Sequence, residues 1–180
     1  GKGTTHRITA GSESPSPFLC GAREPRRMSK RILVAVDGSE EAAEALSFAA
    51  AEWPDADLTA LYVVDPADSA TGAEGGFPGA GDQWYDSATA RGERILREAA
   101  KSVDRDVDTR MEVGRPTKTI LNVAAGETEP TADRDQSADP DPFDHVVVGS
   151  RGRTGLSRVL LGSVAAGIVR RAAMPVTVVR

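Results

Sequence analysis

Apolar residues fall along this chain in two alternating rhythms. Residues 32–36, ILVAV, form an unbroken apolar run, the pattern of a strand covered on both faces. In the following stretch, DGSEEAAEALSFAAAEW, Ala42, Ala45, Leu46 and Ala49 recur at helical spacing. Ser39 is placed to cap that helix, Glu40, Glu41 and Glu44 suit the positive end of its dipole, and Pro54 falls beyond its end.

The alternation continues. DLTALYVVD (57–65) reads as a second strand and SATARGERILREAAKSV (87–103) as a helix with Ile95, Leu96, Ala99 and Val103 on its apolar stripe. DVDTRMEV (106–113) alternates like a strand. GRPTKTILNVAAG (114–126) predicts a helix with Pro116 near its first turn and Gly126 at its end. DHVVVG, a helix within GSVAAGIVRRAAM and a last strand, PVTVVR, complete the chain. Strands alternating with helices predict an α/β fold, an open five-stranded parallel sheet flanked by helices on both faces. Such sheets bind ligands outside the carboxyl ends of their strands, at a switch point in strand order. Here those ends are Asp37, Asp65 and Gly149.

Three stretches lack either rhythm. Residues 1–28 are rich in Gly, Ser, Pro and Arg, which predicts a disordered extension ahead of one domain, 29–180. Residues 65–81 read as a mobile loop leaving the second strand on the ligand side. Residues 127–142 hold six acids, one arginine and three prolines, an acidic insertion entering the fourth strand at the opposite end.

Composition adds constraints. Aromatic residues are only 4% of the chain, so the core must be built from Val, Leu, Ile and Ala. The single cysteine, Cys20, permits no intramolecular disulfide, and the chain is expected in a reducing, cytoplasmic compartment. His6 and His145 cannot join Cys20 in a metal site at these separations, and His145, at the start of a strand, reads as structural. No apolar run approaches the ~18 residues of a membrane span, so no membrane partner is expected. Net charge is −5 but uneven: from Gly149 onward there are six arginines and no acid, while the remainder carries 16 bases against 27 acids. One basic segment in an acidic body suggests a local anion site. A nucleic-acid surface would need a broader basic stripe, so no nucleic-acid partner is expected.

That segment contains Gly149-x2-Gly152-x9-Gly162-Ser163. Gly149 ends a buried strand and lets a ligand approach the backbone. Gly152 permits a turn and presents its N–H to an anion. Gly162 and Ser163 open the last helix, where Ser163 can cap it or turn its hydroxyl toward a phosphate. Free N–H groups and the dipole favour negative charge there. Arg151, Arg153 and Arg158 add positive potential. The segment is not a Walker loop, since GxxxxGK[ST] occurs nowhere. Nor is it the dinucleotide fingerprint, which would follow the first strand.

On these residues the chain resembles the universal stress protein family in its ATP-binding branch, whose nucleotide signature is G-x2-G-x9-G-[ST]. ILVAVDGSEEAAEAL is similar to the family's first strand and helix, and PVTVV to its last strand. The resemblance covers about residues 29–180 and implies an adenine-nucleotide alpha-hydrolase-like fold with strand order 3-2-1-4-5. It places Asp37 near the ribose and adenine, and Ala35 and Val36 on the adenine pocket. Backbone groups of Val63 would meet the adenine edge. Gly149 would lie by the ribose, and Gly152, Gly162, Ser163 and the N–H of Val164 would hold the phosphates, with Arg151 beside them. The implied ligand is ATP, with ADP or AMP as alternatives, carrying Mg2+ or Mn2+ on its phosphates. The implied assembly is a homodimer paired through the last strand. The expected role is a nucleotide-binding stress-response module with a conformational output. A slow ATP hydrolase, using Asp65 and Asp68, and a non-nucleotide interaction protein on the same fold are the alternatives.

Overall fold

The computed structural model describes residues 29–70, 80–127, 141–152 and 161–180. The expected extension (1–28), most of the proposed loop (71–79) and most of the acidic insertion (128–140) lie outside the described residues. So do Arg153 and Arg158.

Five strands form one sheet: β1 (Arg31–Ala35), β2 (Asp57–Val64), β3 (Asp108–Val113), β4 (His145–Gly149) and β5 (Val176–Val179). Their order is β3-β2-β1-β4-β5 and every pairing is parallel, as expected. The continuous apolar runs are the central strands. Ile32, Leu33 and Val34 of β1, and Val146 and Val147 of β4, are fully buried. The alternating DTRMEV is an edge strand.

The helices are α1 (Glu40–Glu52), a four-residue α2 (Ala67–Ala70), α3 (Ala80–Lys101), α4 (Pro116–Ala124) and α5 (Ser163–Arg171). On one face of the sheet, Ala45, Leu46 and Ala49 of α1 and Ile95 and Leu96 of α3 pack over Ile32, Val34, Ala60 and Tyr62. On the other, Ile120 and Val123 of α4 and Ala165 and Ile168 of α5 cover Leu33, Leu61, Val146 and Val148. The winding reverses direction after β3, and right-handed crossovers then carry the later helices to the opposite face.

Local signals place most helix ends. The Ser39 hydroxyl accepts from the Ala42 N–H at 3.3 Å, closing the first turn of α1. Gly126 adopts φ +74°, and α4 ends with Gly126 N–H donating to Val123 O and Glu127 N–H to Asn122 O, a Schellman arrangement. One expectation needs correction. Residues 65–81 are not a loop throughout: α2 and the start of α3 fall within them, and α3 begins seven residues ahead of the expected 87. Apolar spacing in α3 is dense only from Ile95 onward; earlier, among the described residues, Trp84 and Ala88 alone pack against the core, too few for a periodic signal. Of the two roles left open for Ser163, capping α5 is not the one taken. Gly162 occupies the N-cap, with no side-chain bond to the first turn, and Ser163 is the first helical residue.

Candidate functional site

The order of strands reverses between β1 and β4, and both end at the same edge of the sheet. A cavity of about 250 Å³ opens there, lined from β1 by Ala35, Val36 and Asp37, and from β2 by Leu61, Val63 and Asp65. Gly149, Ser150, Arg151 and Gly152 line it from the end of β4, and Gly162, Ser163 and Val164 from the start of α5. All ten residues singled out from the sequence therefore meet around one space. Asp68 is not among the lining residues.

The shape of the site follows from backbone approach. β4 ends against the first turn of α1: a Cβ built on Gly149 would lie 2.9 Å from the carbonyl carbon of Glu41. At Gly152 a Cβ would lie 2.6 Å from Asp37 Oδ2, so any side chain there would displace the carboxylate. That carboxylate is held from its other oxygen: Asp37 Oδ1 accepts from the Ser39 N–H at 3.0 Å and from the Ser39 hydroxyl at 2.6 Å. Ser39, read from sequence as a cap alone, thus also orients Asp37.

The two halves of the glycine signature are joined by one bond. The Gly162 N–H donates to the Ser150 carbonyl at 2.8 Å, setting the start of α5 beside the end of β4. The Ser150 N–H in turn donates to Val179 O at 2.6 Å. With glycine at its N-cap and no capping side chain, the first turn of α5 keeps its dipole and donors for an anion. Arg151 has a partner already: its Nη2 lies 2.8 Å from Glu41 Oε1.

Sequence reasoning missed several lining residues. Pro116 and Ile120 of α4 close the apolar side together with Leu61, and Ser150, 4% exposed, is the floor between the signature's first two glycines. Pro116 carried a signal, since a proline at the first helical position marks a helix start at the carboxyl end of the preceding strand. Nothing in the chain marked Ile120. Among the described residues no group of three or more His, Cys, Asp or Glu is placed to hold a metal ion. His145 sits at the far end of the sheet, its Nε2 2.8 Å from Thr177 Oγ1, in keeping with a structural role.

The model of the universal stress protein family matches residues 28–131 and 135–180, interrupted only within the acidic stretch. The chain belongs to the universal stress protein family. It is 32% identical over 165 residues to universal stress protein MJ0531 of Methanocaldococcus jannaschii, covering 88% of this chain and 86% of that one. It is 31% identical over 163 residues to universal stress protein Rv2005c of Mycobacterium tuberculosis, covering 82% of this chain but only 47% of that longer protein. The chain thus spans about half the length of this mycobacterial member. Among solved structures, that of protein MJ0577 superposes with a TM-score of 0.65 at 25% identity, over 84% of this chain and 96% of that one. Two more distant family structures share the fold. One is in complex with cAMP, with a TM-score of 0.50, 22% identity and coverage of 84% and 97%. The other, from Archaeoglobus fulgidus, is in complex with dAMP, with a TM-score of 0.52, 19% identity and coverage of 84% and 98%.

Proposed function

We propose that this universal stress protein binds an adenine nucleotide, with ATP the first candidate and ADP or AMP the alternatives. The observation that carries this reading is the cavity at the reversal point of the sheet, where Gly152 leaves room only for the Asp37 carboxylate and an approaching ligand. The base would lie toward Ala35, Val36, Leu61 and Val63, and the ribose near Asp37 and Gly149. The phosphates would face Gly152, Gly162, Ser163 and Val164 at the start of α5. Family members in complex with cAMP and dAMP support the adenine class. With Asp37 and Asp65 the lining carboxylates among the described residues, an Mg2+ or Mn2+ ion would be held chiefly by the nucleotide's own phosphates.

The output of binding would be conformational. A nucleotide that bridges β4 and α5 favours whichever arrangement of that region binds it best. β5 lies at the sheet edge beside it, and its free edge would pair with a second copy in a homodimer, in a cytoplasmic setting. Slow hydrolysis is the second reading, favoured by Asp65 on the cavity wall. Phosphate release well above that of a Ser163→Ala variant would support it.

The test is mass spectrometry of small molecules released from purified protein. An adenine nucleotide from the native chain and none from Gly152→Val is the expected result. An empty native protein that shows no calorimetric binding of added ATP, AMP or cAMP overturns the reading.

A further inference from the structure

The charge of the cavity wall bears on which adenine nucleotide it takes. Among the described residues the charged side chains lining the cavity are Asp37, Asp65 and Arg151. The one cation of these three is not offered freely, because Arg151 Nη2 lies 2.8 Å from Glu41 Oε1. The two side chains are 28% and 18% exposed, so water and salt screen the pair less than an open surface pair.

Glu41 is delivered to Arg151 by rigid parts. It stands in the first turn of α1, capped by Ser39, which is itself held by Asp37. Its backbone lies against Gly149, where even a methyl group would collide with it. A phosphate chain that recruits Arg151 must therefore compete with a fixed carboxylate. The uncharged nucleoside part of a ligand pays no such penalty.

We infer that Glu41 is a specificity-determining residue: by holding Arg151, it sets how much phosphate charge the site accepts. The pair lowers the cavity's affinity for a metal-free triphosphate more than for an adenine nucleotide with one phosphate. The inference rests on the adenine-nucleotide reading above. Glu41 acts through Arg151 and need not touch the ligand.

The test is isothermal titration calorimetry with adenosine, AMP and metal-free ATP. It compares the native chain with Glu41→Gln and with Glu40→Gln, which removes an exposed first-turn carboxylate outside the ion pair. Glu41→Gln should tighten ATP roughly fivefold, AMP less, and adenosine not at all, because only the charged ligands feel the lost carboxylate. Glu40→Gln should leave the ATP-to-adenosine ratio near that of the native chain. In an Arg151→Gln background, Glu41→Gln should change the ratio little, since the two residues act as one unit. An unchanged ratio in Glu41→Gln, or equal weakening of all three ligands, overturns the inference and leaves the nucleotide reading standing. No binding of any of the three by the native chain overturns both. If Glu41→Gln does not fold by circular dichroism, Glu41→Asp, whose carboxylate is drawn back by one methylene, should move the ratio in the same direction by less.

Discussion

The two ends of this sheet are built from different materials. At the amino end, side chains close over the backbone. The Arg31 N–H donates to Asp144 Oδ2 at 2.8 Å, and its guanidinium lies 4.6 Å from the Phe143 ring centroid. Arg105 donates to the carbonyls of Trp53 and Ala56, and the Trp53 ring lies 4.8 Å from that of His145. At the carboxyl end the glycines keep side chains out, and backbone groups face a cavity. Tight closure stabilises, while a site needs room and unspent donors. One end can therefore serve the fold and the other a ligand, with the sheet between them.

That division can be broken from either side. The largest effect is expected from Trp53→Ala at the closed end, which should cost about 2–3 kcal/mol in urea unfolding, because a half-buried ring is lost from between Phe48 and His145. Nucleotide affinity should stay within about twofold, since Trp53 follows the last turn of α1 while the cavity lies at its first. If affinity falls together with stability, the ends are not independent.

Gly152→Ala tests the open end. Its Cβ would push Asp37 from its place against Ser39, weakening nucleotide binding roughly tenfold, or about 1.4 kcal/mol. Unfolding stability should change by less than about 1 kcal/mol, because the displaced atom belongs to a side chain that can swing away. Calorimetry and urea titration of the same sample read both numbers.

Arg105→Gln should lower stability by about 1 kcal/mol through lost charge-assisted bonds to the Trp53 and Ala56 carbonyls, again with affinity intact. The smallest effect concerns pH. Burial, and then the Lys30 charge, lower the His145 pKa below its ordinary value of 6.5. The native state thus favours neutral His145, and this contribution is fully present above pH 6.5. It is lost as pH falls from there through the lowered folded-state pKa. Urea midpoints between pH 8 and pH 5 should show more acid sensitivity in the native chain than in His145→Gln. Equal sensitivity would remove His145 from the closed end's account.

Much of this architecture was legible along the chain. The run ILVAV read as a strand buried on both faces, because such a strand has no polar side to show. Ser39 and Gly126 marked helix ends because each answers a local need of the backbone. The early turns of α3 were not legible, since among the described residues of AGDQWYDS only Trp84, four residues before Ala88, packs against the core, too little to make a stripe. Nor could the sequence, which left two roles open for Ser163, place the N-cap of α5, which falls on Gly162. Serine is the better cap in isolation, but the bond from Gly162 N–H to Ser150 O decides where the helix starts.

By itself, the sequence determined the alternation of strands and helices, the all-parallel sheet and a glycine signature with anion-binding chemistry. These rest on local propensity and on periodicity, which neighbouring residues carry. Only the tertiary structure decided that Arg151 meets Glu41, that Gly152 abuts Asp37, and that Pro116 and Ile120 complete the cavity. Those pairs are tens to more than a hundred positions apart in the chain. Their meeting depends on strand order and on the angle at which each helix packs, and no short stretch of sequence contains either.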